Sequence, residues 1–329
     1  MTQLDRQALL DEVSNLADWL MKLSLDGGIA IGSAHLEELR QMAALPVTRS
    51  VPKMASLLDE LGGLLAAYSS SRDARELEAL MDKVLDCYYS SRAVKTYLQG
   101  KFSDLPALEE LFGADRPDRK EERLQGLEAL EVGLETRRVD QERVVDVSTL
   151  VDLATGQFLS EEVTRHATPT RPSTRRSPRQ GKLTAQTCLV APGFSPRRAT
   201  LQGVQESALE RADLDRLAAY ARPTVEALHK DYRTFRSNFF APERMPILIS
   251  PKGFYAEEER IYLVDKAGNL LTLSEQSGNG YLSDRLVARL GGASIVFGNL
   301  LPAGGQIVLV VLGAFSADEG GQISRYVRV

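Results

Sequence analysis

Thr149-Leu-Val-Asp-Leu-Ala-Thr-Gly-Gln-Phe-Leu-Ser160 is the stretch in which the chain has changed its hydrophobic period. Two short apolar runs flank Ala154-Thr155-Gly156, where glycine supplies a positive φ, so the segment reads as two strands around a turn. Just upstream, Val144, Val145, Val147, Leu150 and Val151 are mostly β-branched. They replace a charged stretch beginning at Pro117, whose Leu124, Leu127, Leu130 and Leu134 recur at steps of three and four and therefore predict a helix. Downstream, Thr187 to Leu201 reads as another strand pair, interrupted by a Pro192-Gly193 turn. Residues 141–205 thus predict a central β-hairpin region.

Towards the N-terminus the period is helical throughout. Leu9, Val13, Leu16, Leu20 and Leu23 form one stripe, which Gly27 and Gly28 are expected to end. A short helix from Ser33 to about Leu45 follows, and Pro46 ends it. Pro52 opens a helix carrying Met54, Leu57, Leu61, Leu64 and Tyr68, and Asp73 with Glu76 opens another carrying Leu77, Leu80, Val84 and Tyr88. Helices joined by such short breaks pack as antiparallel neighbours, so residues 1–140 predict a helical bundle.

Residues 206–329 predict a β-rich domain with one or two helices. Ser207 to about Phe239 is helical by period and divided at Pro223. Six apolar runs then read as strands, Ile247 to Ile249 through Ile323 to Val329, with Asp265-Lys-Ala-Gly-Asn269 as a hairpin turn and Leu282 to Leu290 as a short helix. The fold class is α+β. No apolar run reaches the ~18 residues of a membrane span, and the polar Met1 to Arg6 shows no secretory signal. With two cysteines far apart, Cys87 and Cys188, there is no disulfide framework, and a cytoplasmic protein is expected.

Charge is unevenly spread. Val163 to Gln205 contains Arg165, Arg171, Arg175, Arg176, Arg179, Lys182, Arg197 and Arg198 and no acid, inside a chain of net charge −5 that falls to −13 without those eight cations. Its Pro169 to Gly181 part has three prolines and hardly any large apolar side chain, which predicts an exposed, mobile linker at about residues 167–182. Arg171, Arg175, Arg176, Arg179, Lys182, Arg197 and Arg198 are candidate contacts to nucleic acid, to an acidic protein surface, or to solvent alone. Single-strand binders interleave aromatics with their cations, and this stretch holds only Phe194, so nucleic acid is not favoured. Ser173, Thr174 and Ser177, beside arginine and proline, are candidate phosphorylation sites.

Chemistry-bearing motifs are scarce. His35, His166 and His229 are scattered and cannot join two cysteines in a zinc cage, so neither metal nor cofactor is expected. There is no nucleophile elbow, no P-loop and no dinucleotide fingerprint. Ser277, Gly278, Asn279 and Gly280 lie between a strand and a short helix, where backbone amides would hold an anion, although such a loop is more often a plain turn. Glu257, Glu258 and Glu259 alternate faces along a strand and make no paired-acid site. No catalytic residue is assigned.

Leu127-Glu-Ala-Leu-Glu-Val-Gly-Leu-Glu-Thr-Arg-Arg138, leading to Leu150-Val-Asp-Leu-Ala-Thr-Gly-Gln-Phe-Leu159 and then to Leu189-Val-Ala-Pro-Gly-Phe-Ser-Pro-Arg-Arg198, resembles the region after the finger in bacterial SWIM zinc-finger-associated proteins. The resemblance covers about the first 200 residues, and the C-x-C…C-x-H finger itself is absent, so no metal ligand carries over. It implies company, namely bacterial multi-component systems containing an AAA-type ATPase and a von Willebrand A protein. The expectation is a non-catalytic adaptor binding other proteins through charge-segregated surfaces. A nucleic-acid binder using residues 163–205, or an enzyme whose site is assembled from scattered residues, are the alternatives.

Overall fold

The leucine stripes of the first hundred residues become the buried faces of helices. The computed structural model describes residues 3–101, 105–112, 120–138, 143–166, 177–257, 260–274, 290–303, 306–317 and 323–327. It divides into two compact units, Met1–Arg119 and Lys120–Val329.

The first unit consists of α1 (Gln3–Ala30), α2 (Ser33–Ala43), α3 (Pro46–Ser50), α4 (Pro52–Ser71), α5 (Ala74–Leu98) and α6 (Leu105–Phe112). Val13, Leu16, Leu20 and Leu23 of α1 are buried with Met54, Leu57 and Leu61 of α4 and Leu80 and Val84 of α5. Arg6 donates to the Leu98 carbonyl, which sets α1 antiparallel to α5. Trp19 Nε1 donates to Glu38 on α2 (2.7 Å), Lys83 of α5 meets Glu60 of α4 (2.7 Å), and the Asp73 carboxylate caps α5 through the Arg75 N–H (2.7 Å). α1 runs on through Gly27 and Gly28 to Ala30 instead of stopping there. A glycine inside a helix costs only about 1 kcal/mol, and the buried stripe of a 28-residue helix outweighs two of them.

The second unit opens with strands. β1 (Glu122–Arg138), β2 (Arg143–Asp152), β3 (Phe158–His166), β4 (Lys182–Val190) and β5 (Arg197–Ser207) close into a barrel in the order β1-β2-β3-β5-β4. Its interior is filled by Leu127, Ala129, Leu150, Leu159, Leu183, Ala185, Cys188, Val190 and Ala199. The turn between β2 and β3 is the expected one: Gly156 has φ +72°, and the Asp152 carboxylate accepts from the Ala154 N–H (2.9 Å) and the Thr155 hydroxyl (2.6 Å).

Residues 122–138 form a strand where the leucine spacing predicts a helix, and the division between units falls at residue 119 instead of 140. Gly126 explains the spacing. At φ +64° it slips the inward phase of β1, so Leu124 and Leu127, three apart, both pack into the barrel. A register shift between Glu131 and Gly133 adds a second slip. Two interruptions of a period of two imitate a period of 3.6.

The barrel packs on a four-stranded antiparallel sheet of β6 (Met245–Ile249), β10 (Ile295–Ala303), β11 (Gln306–Ala317) and β12 (Ile323–Val327), in the order β12-β11-β10-β6. One face of this sheet, with Phe297, Val308, Val310, Leu312 and Phe315, meets Leu130, Val132, Val151 and Leu153 of the barrel and Leu214 and Leu217 of α7 (Arg211–Tyr220). The other face, with Leu300, Leu309 and Val311, meets Val225, Leu228 and Tyr232 of α8 (Val225–Arg236) and Ile261, Leu263 and Leu271 of a three-stranded sheet, β7 (Gly253–Glu257), β8 (Arg260–Val264) and β9 (Leu270–Thr272). Alternate side chains of β11 thus serve two cores. Pro223 separates α7 from α8 as expected, and the Thr224 hydroxyl caps α8 through the Ala227 N–H.

Residues 120–329 therefore hold both the hairpin region and the β-rich domain in one unit. The segment from Leu282 to Leu290 lies outside the described residues, apart from Leu290 itself. No helix among the described residues is long and apolar enough to cross a membrane.

Candidate functional site

Four of the five described cations of the basic stretch meet this protein's own acids. Arg165 on β3 grips Asp146 of β2 through both carboxylate oxygens, and Asp146, fully buried, also accepts from the Thr136 hydroxyl (2.8 Å). The hydrogen bonding to Asp146 raises the Arg165 pKa above its ordinary value. Arg179 Nη1 lies 2.8 Å from Glu161 of β3, a charge contact without hydrogen-bond alignment, and the Arg179 N–H donates to Glu131 of β1 (2.9 Å). Lys182 reaches Asp213 of α7 (3.2 Å) and Glu128 (3.8 Å), and its hydrogen bond to Asp213 raises its pKa. Arg197 reaches Glu122 (2.8 Å) and donates from Nε to the Ala191 carbonyl (3.0 Å). Arg198 is exposed.

Arg179, Lys182 and Arg197 are thus occupied, and of the sequence-predicted contacts described here Arg198 alone makes no ion pair among the described residues. Arg171, Arg175 and Arg176 lie outside the described residues, as do Ser173, Thr174 and the whole of Ser277, Gly278, Asn279 and Gly280. The expected linker is only partly described: its residues 177–181 are tied down through Arg179 and through the Gln180 and Gly181 N–H groups, which donate to Glu206 (2.9 and 2.7 Å). Arg179, Gln180 and Gly181 are thus hydrogen-bonded to β1 and β5 at this end of the expected linker.

The same corner holds two residues that sequence reading passed over. Glu131 of β1 is fully buried, and Arg325 of β12 donates to the carbonyls of Arg179 and Glu131 while lying 5.4 Å from the Phe315 ring centroid. Burial pulls the Arg325 pKa down to about 10, against the attraction of Glu131 and Glu206. No local pattern marks either residue, since they lie 194 positions apart.

His35 and the two cysteines behave as scaffold. His35 Nδ1 accepts from the Gly32 N–H (3.2 Å) at the start of α2, and no three metal-ligating side chains gather among the described residues. Burial pushes the Cys87 thiol up to about 12 and the Cys188 thiol up to about 11, so neither is a poised nucleophile. Glu257 is exposed, and its two acidic neighbours lie outside the described residues.

The barrel leaves a seam. β5 pairs with β4 from Ala199 to Ser207, but with β3 only at Leu159↔Arg197 and Ser160↔Arg198. Beyond that point residues 161–166 of β3 pair on one side with β2 and residues 199–207 of β5 on one side with β4, each leaving one edge without a strand among the described residues. Residues 202–207 are exposed, and so are Val163 (38%) and Val204 (39%), an apolar pair beside hydrogen-bonding edges. Small five-stranded barrels elsewhere carry oligonucleotides or oligosaccharides on the face of strands 2 and 3. Here the hairpin end of that face, Val151 and Phe158, is packed under Phe297, and the exposed residues of β3 beyond it, Glu162, Val163, Thr164 and His166, include no lysine or arginine. The sequence matches no protein-family model, and no curated protein is found that matches it.

Proposed function

We propose that this protein is a non-catalytic, cytoplasmic adaptor that takes up an extended segment of a protein partner along the seam between β3 and β5. The observation that carries the reading is the pair of strand edges flanked by exposed Val163 and Val204, because a sheet edge offers main-chain hydrogen bonds to an incoming strand and alternate side-chain positions to select it. Pairing of Arg165, Arg179, Lys182 and Arg197 with carboxylates weighs against phosphate contact by the basic stretch. The resemblance to SWIM zinc-finger-associated proteins supplies a class of partner, an AAA-type ATPase or von Willebrand A protein of a bacterial multi-component system.

The test is affinity capture with nuclease present, using the intact chain and the double variant Val163→Lys/Val204→Lys. Lysines at these exposed positions block strand addition without touching the core. A partner retained through nuclease treatment and lost with the variant is the expected result. Partners that vanish with nuclease, or that bind the variant equally well, overturn the reading.

A further inference from the structure

One face of α8 and the hairpin end at Asn269 and Leu270 flank an open cleft of about 830 Å³, within the size range of small-molecule sites. Glu226, His229, Lys230, Arg233 and Thr234 line it from the helix, and Asn269 lines it from the turn. Lys230 and Arg233 are exposed, and neither makes an ion pair among the described residues. This sets them apart from Arg165, Arg179, Lys182 and Arg197, which are all paired. His229 adds an imidazole whose Nε2 is buried without a hydrogen-bond partner, an exception to the rule that buried polar atoms are satisfied.

Asp265 is fully buried, and its carboxylate fixes the turn to the start of α8 by accepting from the N–H groups of Val225, Ala267 and Asn269 and from the Asn269 side-chain amide. Among the described residues Glu226 is the one carboxylate lining the cleft, against the two cations Lys230 and Arg233. Leu270, 49% exposed at the rim, offers apolar surface to the uncharged part of a ligand.

We infer that this cleft binds a small organic phosphate, with the phosphoryl oxygens on Arg233 and Lys230, beside the His229 imidazole, and the organic portion against Leu270. A guanidinium fork and an ammonium converging with an imidazole suit a tetrahedral dianion with several acceptor oxygens. This inference does not depend on the seam between β3 and β5.

The experiment follows the three imidazoles by NMR in the full chain, with the His229 signals assigned from His229→Gln, during titration with glycerol 3-phosphate, inorganic phosphate and sulfate. Glycerol 3-phosphate is expected to shift the His229 resonances saturably at millimolar concentration or below, leaving His35 and His166 in place, and to bind more tightly than inorganic phosphate. Arg233→Ala and Lys230→Ala, at exposed positions that spare the core, should each weaken binding roughly tenfold or more. Absence of a His229 shift, equal binding of sulfate, or titrations unchanged in both variants overturns the assignment.

Discussion

At the scale of single residues, the strongest determinants are buried carboxylates with assigned work. Asp265 sits at the start of its hairpin with four hydrogen bonds converging on it, including one from the first N–H of α8. Burial alone would raise its pKa, but those bonds outweigh desolvation and hold the carboxyl below its ordinary value. Asp265→Asn puts an amide donor where N–H groups already point, and should cost about 3 kcal/mol, read as a lowered midpoint in urea unfolding. The sign with pH follows from a depressed folded-state value. The stabilisation is present above the unfolded value and is lost as pH falls through the folded one, so the gap between wild type and Asp265→Asn should narrow only below about pH 4. A gap that stays constant down to acid unfolding would show that the carboxylate charge is not what the turn uses.

At the scale of elements, β1 and β11 pack through side chains and also come to close backbone approach at a glycine. A Cβ at Gly313 would lie 2.1 Å from the Val132 carbonyl oxygen, and one at Gly133 would lie 2.7 Å from the Phe297 ring. Sheet and barrel therefore approach more closely than any side chain would permit at those points. Gly313→Ala should destabilise by about 3 kcal/mol, because the intruding methyl meets backbone that cannot rotate away. Gly253→Ala, with nothing within 4 Å of the added methyl and an ordinary φ, should stay within about 0.5 kcal/mol in the same unfolding measurement. Equal effects at the two sites would refute the close-approach explanation.

At the scale of the whole molecule, the division at residue 119 makes a test of which strands complete the second unit. β1 supplies two of the barrel's pairings, to β2 and to β4, and its Leu130 and Val132 join the core shared with β11. A fragment of residues 120–329 should melt cooperatively on its own, whereas residues 141–329, cut where leucine spacing places the end of the helical region, should aggregate or melt without a sharp transition. Cooperative melting of the shorter fragment would mean that the barrel does not need β1. Much of this organisation is legible locally. The stripes of α1, α4 and α5, the Asp73 cap, the Gly156 turn, the Pro223 break and the Asp265 hairpin follow from side-chain period and turn chemistry within a few residues, and so does the α+β class. Strand β1 was not legible, because a left-handed glycine and a register shift gave its leucines helical spacing, and only pairing with β2 and β4 exposes the underlying period of two. The basic stretch was visible as composition, but its neutralisation was not. Glu122, Glu128, Glu131, Asp146 and Glu161 come from strands whose register sets which charge meets which, and Arg325 arrives from the far end of the chain. The cleft of α8 depends likewise on a helix and a turn that meet only in the folded unit. Sequence alone determined the elements other than β1, since their periods are short-range; tertiary structure decided β1 and which charges are occupied and which remain open, because strand pairing and Coulomb pairing depend on distance in space and not on separation along the chain.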